Sequence, residues 1–184
     1  MITLGEAGPA PVAAGKSRPD PALTRPLEQA ELIQLALLAE RVPPRGCIVE
    51  TGAASAGISH DLASGARAGT TLYCLDEWDD AALASFRDSL AAFPHAIALS
   101  GHNPRDFLGW QREVDLLVEN SGLANPGLHA SLAFWRRLIR PGGVICGRCP
   151  GEVAGMAMAE ALAREYGASI ERQGDLWWVS LPPA

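Results

Sequence analysis

The segment Cys47-Ile48-Val49-Glu50-Thr51-Gly52-Ala53-Ala54-Ser55-Ala56-Gly57-Ile58-Ser59 constrains this chain most. An apolar strand runs straight into a turn of small residues and out into a helix. About two dozen residues later a second strand, Thr71-Leu72-Tyr73-Cys74-Leu75-Asp76, ends on an acid. A strand, a small-residue turn, a helix and a strand with a terminal acid form the nucleotide-binding half of a doubly wound fold. Gly and Ala leave little in the way of a ligand that approaches the backbone closely. The terminal acid can accept hydrogen bonds from both ribose hydroxyls.

The rest of the chain fits that frame. Residues 1–22, rich in Pro, Ala and Gly without a period, read as a flexible tail, and residues 23–184 as one domain. A helix is expected from Pro26 to Val42, with Leu27, Ala30, Ile33, Leu37 and Leu38 on its apolar face. Strand 1 is Cys47–Glu50, and a helix from about Ser59 to Ala66 follows it. Strand 2 is Thr71–Leu75, with a helix from Asp79 and Asp80 through Ala92. Strand 3 is Ala96–Leu99, followed by a short helix over Pro104–Trp110. Strand 4 is Val114–Val118, and a helix spans about Gly127 to Arg140. Pro141-Gly142-Gly143 reads as a tight turn into strand 5, Val144–Gly147. A helix over Val153–Tyr166 precedes two closing strands, Ser169–Arg172 and Leu176–Leu181. This alternation predicts an α/β, Rossmann-like, doubly wound and mostly parallel seven-stranded sheet that ends in an antiparallel hairpin.

Bulk properties narrow the partners. The 184 residues suffice for a real core. A net charge of −6 argues against a nucleic-acid backbone as main partner. No run approaches about 18 consecutive apolar residues, so no membrane span is expected. No basic stretch leads into an apolar core near Met1, so no secretory signal is expected, and the expected location is the cytoplasm. Of the four cysteines, Cys146 and Cys149 form a lone CxxC, but zinc usually needs a second pair or two histidines. All four are expected as free thiols in a reducing compartment.

Five motifs in the expected order resemble the class I S-adenosylmethionine-dependent methyltransferases, in particular the small catechol-O-methyltransferase-like group. The resemblance covers roughly residues 27–182. Val49-Glu50-Thr51-Gly52, with Ala56-Gly57 and Ser59, is similar to the family's first motif. Asp76 resembles its ribose acid, and Val114-Asp115-Leu116-Leu117-Val118-Glu119 its fourth strand. Leu138-Ile139-Arg140-Pro141-Gly142-Gly143-Val144 resembles the approach to strand 5, and Gly174-Asp175-Leu176-Trp177-Trp178-Val179 the closing strand. The resemblance implies a methyltransferase-like domain that binds S-adenosylmethionine. The Gly52-to-Gly57 spacing also fits a nucleoside better than the pyrophosphate that GxGxxG accommodates.

The residues implied to hold that cofactor are Glu50, Gly52, Ala53, Ser55, Gly57, Ser59, Asp76, Glu77, Trp78, His102, Asn103 and Glu119. Glu50 can help hold the amino group of the methionine moiety, directly or through water. The helix N-terminus near Ser59 favours its carboxylate. Asp76 has a second reading, as a cap of the next helix, which Asp79 or Asp80 could already supply. Trp78 either covers the ligand or packs on the sheet edge, and His102 either contacts adenine or stands in a solvated loop.

Glu119, Asn120 and Ser121 lie at the end of strand 4, beside the switch point where open sheets bind ligands. Glu119, His129 and His102 are the candidate bases, in that order. Strand 5 ends Gly147-Arg148-Cys149 where relatives often show His-Asp, so no catalytic metal is expected, since Glu119 alone is a poor magnesium site. Arg148 either binds an anionic substrate group or has no chemical role. Asp115 reads as structural, and Arg136, Arg137 and Arg140 as a solvated helix end. The helix with Met156 and Met158 reads as core or as a subunit contact.

The expected activity is methyl transfer to an oxygen or nitrogen of a small-molecule acceptor. Its lid would come from the N-terminal helix and Asn120–Pro126, with a homodimeric partner as a further source. Two rivals are a non-catalytic binding protein of the same fold and a nicotinamide-dependent oxidoreductase. The turn spacing and the closing hairpin disfavour the oxidoreductase.

Overall fold

The computed structural model describes residues 27–54, 56–101, 104–121, 128–149 and 153–184. The expected tail at residues 1–22 lies outside them. Among the described residues five helices and seven strands follow one another along the chain: α1 (Gln29–Arg41), β1 (Cys47–Thr51), α2 (Ala56–Gly65), β2 (Thr71–Asp76), α3 (Asp80–Ser89), β3 (Ala96–Ser100), β4 (Val114–Glu119), α4 (Leu128–Trp135), β5 (Ile139–Arg148), α5 (Val153–Tyr166), β6 (Ile170–Gln173) and β7 (Leu176–Ser180). Single 3-10 turns cover Pro104–Phe107 and Arg136–Leu138.

The strands form one sheet in the order β3-β2-β1-β4-β5-β7-β6. The first five are parallel, and β7 runs antiparallel to both β5 and β6. The chain reverses its direction of travel across the sheet between β1 and β4. That reversal opens a crevice at the carboxyl ends of these two strands.

Both faces of the sheet are covered, which is why β1 and β4 are buried at every position. Alternate residues of β1 serve opposite faces. Ile48 packs with Leu35 and Leu38 of α1, Leu62 of α2 and Phe86 of α3. Cys47 and Val49 join Leu132 and Trp135 of α4, Leu162 of α5, and Trp177.

Three expectations from sequence shift. In α1 the buried stripe is Leu35, Leu38 and Ala39, continued by Val42 just past its end, whereas Ile33 and Leu37 are 53% and 44% exposed. The stripe continues at helical spacing to Glu31, which is 1% exposed. Of the expected face, Leu38 is buried and Leu27 packs against the core, but a buried acid is invisible to an apolar pattern, so the stripe runs through Leu35 and Glu31 rather than Ile33 and Leu37. Strand β5 begins at Ile139, inside the expected helix, because Ile139 pairs with Val114. Pro141-Gly142-Gly143 is then a bulge within the strand rather than a turn before it. The Gly142 N–H donates to the Pro182 carbonyl, and a Cβ on Gly143 would stand 2.7 Å from Ile139 Cγ2. Helix α2 begins at Ala56, three residues earlier than expected, which places Ser59 within its first turns, fully buried.

Glu31 ties distant segments together. One carboxylate oxygen accepts the Glu28 N–H at 2.7 Å as part of a capping box, and the other accepts the Asp175 N–H at 2.6 Å in the β6–β7 turn. The Asp175 carbonyl in turn accepts the Cys149 N–H at 2.8 Å. Replacing Glu31 with Ala leaves two backbone donors without their acceptor. Urea unfolding of Glu31→Ala is expected to show a loss of about 2–3 kcal/mol. A change within about 0.5 kcal/mol, typical of a plain surface site, would refute the tie.

Candidate functional site

The site is built on the turn that leaves β1. Gly52 sits at φ +75°, and a Cβ there would collide with the backbone nitrogen of Ser121 and approach the Asn120 carbonyl carbon to 2.6 Å. Both Gly52 and Ala53 donate their N–H groups to the Leu75 carbonyl, at 2.9 and 3.2 Å. Asn120 donates its N–H to the Thr51 carbonyl and its side-chain amide to the Gly52 carbonyl. The turn is therefore fixed to the ends of β2 and β4 at once. Gly57, by contrast, is exposed with no neighbour within 4 Å of a Cβ position, so contacts within the chain do not demand glycine there.

Below this turn lies Glu50, with no accessible surface. It shares a row across the sheet with Cys74, Val118 and Cys146. Ser59 donates to Glu50 Oε2 at 2.5 Å, while Oε1 has no hydrogen-bond partner among the described residues. Burial pushes the Glu50 carboxyl up to about 7, against the lowering effect of the Ser59 hydrogen bond and the neighbouring Cys74 thiol, and with the nearby Asp76 charge raising it further.

Glu119, at the end of β4, is 5% exposed. Its Oε2 accepts the Thr51 hydroxyl at 2.7 Å. Its Oε1 accepts the Ser121 N–H at 2.9 Å and also the Ser121 hydroxyl. This carboxylate clasps the ends of β1 and β4 rather than standing alone. Sequence reading named Glu119 but missed Thr51 as its partner. The only available signal was a small hydroxyl residue at the end of each strand.

The second strand supplies the rim. Asp76 Oδ1 accepts the Glu77 N–H at 2.6 Å. The cap of α3 is Asp79, which accepts the Ala82 N–H at 2.9 Å, so the competing reading of Asp76 as the cap does not hold. Glu77 is exposed. Trp78 is half-buried against Phe86, with ring centroids 4.4 Å apart. Arg148 is 9% exposed and pairs with Leu176 across β5 and β7. Gly147 has no room for a side chain, since a Cβ would stand 2.6 Å from the Trp177 ring.

Ser55, His102 and Asn103 lie outside the described residues, as does the side chain of His129 at the start of α4. The four cysteines are all free and buried. Burial raises Cys47 to about 12 and pushes Cys74 and Cys146 higher still. Cys146 and Cys149 belong to cores on opposite faces of the sheet. Among the described residues no group of three or more His, Cys, Asp or Glu is placed to hold a metal ion. No described helix is long and apolar enough to cross a membrane.

No protein-family model and no curated protein matches the sequence. Solved structures do match. A methyltransferase from Geobacter sulfurreducens is 17% identical, with 84% of this chain and 81% of that chain covered at a TM-score of 0.65. A precorrin-6y C5,15-methyltransferase from Geobacter metallireducens is 15% identical, with 83% and 87% covered and a TM-score of 0.64. An rRNA methylase from Streptococcus thermophilus is 11% identical, with 86% and 99% covered and a TM-score of 0.62. The chain thus has the α/β, Rossmann-like methyltransferase fold, including the antiparallel hairpin at the end of the sheet.

One expectation is overturned here. Net charge had argued against nucleic acid as a partner, yet the fold is shared with rRNA methylases. Net charge averages over the whole surface, whereas recognition depends on local patches, so −6 does not exclude such an acceptor.

Glu50 gives the site a pH dependence. Its folded-state value exceeds its ordinary one, so the folded protein holds an extra proton between about 4.5 and 7. That contribution to stability is full below about 4.5 and is lost as pH rises through 7. Glu50→Gln removes it. The variant is expected to gain on the wild type by about 3 kcal/mol between pH 4.5 and pH 8. Paired urea melts across that range check this, and a stability difference independent of pH would contradict it.

Proposed function

We propose that the carboxyl ends of β1, β2 and β4 bind S-adenosylmethionine, and that the protein transfers its methyl group to an oxygen or nitrogen of a small-molecule acceptor. The observation that carries this reading is Glu50. A wholly buried carboxylate, one oxygen of which has no partner among the described residues, lies beneath a turn that only glycine can make. An ammonium group, met directly or through one water, would satisfy that oxygen. The surrounding acids Asp76, Glu77, Asp79, Asp80 and Glu119 suit a ligand that carries positive charge.

In this reading Asp76 holds the ribose and Trp78 covers the adenine, with His102 and Asn103 assigned to the adenine on the motif resemblance alone. Gly52 and Ala53 form the turn, Gly57 lies in the first turn of α2, Ser59 bonds Glu50 beneath it, and Glu77 stands at the rim; Ser55 joins them on the motif resemblance. The bound cofactor supplies an activated methyl group. The chain's own part is largely positioning, because the nucleophile must lie in line with the departing sulfur. Glu119 is held by Thr51 and Ser121, so it acts as a fixed acceptor that orients the nucleophile. His129 and His102 remain the candidates to take its proton. Arg148 accepts an anionic group of the acceptor. The preference for oxygen or nitrogen rests on the motif resemblance to the catechol-O-methyltransferase-like group. Neighbours named as methyltransferases do not favour a non-catalytic protein.

Calorimetry with S-adenosylhomocysteine, with NAD as control, tests the cofactor. Asp76→Ala is expected to weaken binding about 10- to 100-fold, the loss of one or two good hydrogen bonds. No heat from the wild type would sink the cofactor assignment. Transfer of labelled methyl groups to a panel of phenols, amines, a tetrapyrrole and an rRNA fragment tests the acceptor. Label on the RNA or the tetrapyrrole alone would move the acceptor class, and tight binding with no transfer at all would sink catalysis.

A further inference from the structure

The charge of this chain is unevenly placed. Six acids, Glu50, Asp76, Glu77, Asp79, Asp80 and Glu119, lie at or just beyond the carboxyl ends of β1, β2 and β4. At the opposite edge, where the strands begin, the charge reverses. There a groove of about 510 Å³ is lined by Pro43, Pro44, Arg45, Arg112, Asp115 and Arg140. A narrower cleft of about 130 Å³ continues from it, shares Pro43, Asp115 and Arg140, and brings in Arg41. Four arginines face two acids, Glu113 and Asp115, in this groove and cleft.

Two of the four arginines, Arg112 and Arg140, are held in place. Asp115 is 8% exposed, accepts the Cys47 N–H at 2.7 Å, and pairs with Arg140 Nε at 2.5 Å. The terminal nitrogens of Arg140 have no partner among the described residues. Arg112 donates to the carbonyls of Arg45 and Gly46, each at 2.8 Å, and to the hydroxyls of Thr71 and Tyr73. It therefore adds fixed charge to the floor of the groove and anchors the backbone of Arg45. Arg45 itself is at φ +66°, the only described residue other than glycine with positive φ. Gly or Asn would adopt that conformation at less cost. Arg45 Cγ lies 3.3 Å from where a Cβ on Gly69 would stand, so Gly69 gives its stem room. No described carboxylate engages the guanidinium groups of Arg41 and Arg45. Planar guanidinium donors around a concave surface, two fixed and two free to turn, match phosphate oxygens.

We propose that this groove is an anion site for the phosphate groups of a polyphosphate or nucleic-acid ligand, held by Arg41, Arg45 and Arg140 over the fixed charge of Arg112. It lies about 20 Å from the Gly52 turn, the rise of the six residues of strand and turn between Gly46 and Gly52. The two sites can be filled together. The inference does not depend on what binds at the carboxyl ends.

Calorimetric titration of the full chain at low salt with tripolyphosphate, and separately with a short single-stranded RNA, tests the site. Tripolyphosphate is expected to bind the wild type. The double variant Arg41→Gln/Arg45→Asn is expected to bind it at least about tenfold more weakly, with Asn chosen to keep the left-handed backbone. Arg41→Gln alone, on the surface of α1, provides a weaker version of the same loss should the double variant fold poorly. Arg164→Gln, on α5 at the far face of the sheet, must leave binding unchanged. RNA that displaces tripolyphosphate, with an affinity that falls steeply with salt, identifies the ligand as nucleic acid. Tripolyphosphate that RNA does not displace identifies a free phosphate compound. Absence of binding by both probes overturns the proposal. So does a natively folded double variant that binds as the wild type does, or an equal loss in Arg164→Gln.

Discussion

The ends of β1 and β4 are clasped together, and everything else at the candidate site hangs on that clasp. Glu119 bridges Thr51 on one strand and Ser121 after the other, and Asn120 ties both to the backbone of the turn. Gly52 makes this approach possible, because any side chain there would occupy the space of the Ser121 backbone. A parallel sheet cannot close its crevice by hydrogen bonding between strands once they diverge at the switch point. Side chains must finish the closure, and here a buried carboxylate does so.

The clasp leaves Glu50 just below the turn, under α2, with no accessible surface. Only Ser59 and Cys74 offset its burial, and its carboxyl is raised to about 7. Acids at one edge of the sheet and arginines at the other give the chain an electrical direction that its net charge conceals. The acidic edge suits a cationic small ligand, and the arginine groove suits an anionic one. That polarity matters more for partners than the sum of −6.

Element types and their order were legible from the sequence because each strand is a short apolar run bounded by turn residues. The errors came where polar residues are buried. Glu31 occupies a core position of α1, so counting only apolar side chains rotated the helix onto Ile33 and Leu37. Ile139 looked like the end of a helix until its pairing with Val114 made it strand. At the site, Glu50, Asp76 and Glu119 could be named from their places at strand ends. Their partners Thr51, Ser59 and Ser121 could not be assigned, since each contact depends on which strand lies beside which.

By itself the sequence determined a doubly wound α/β sheet with a glycine turn after β1, because alternation of strand and helix signals and the backbone freedom of glycine are local properties. Tertiary structure alone decided that Glu119 is a clasp, that Glu31 is core, and that Arg41, Arg45, Arg112 and Arg140 share one groove. Those facts join residues up to 144 positions apart. Burial and charge act through space, and no local pattern in the chain records which distant groups will meet.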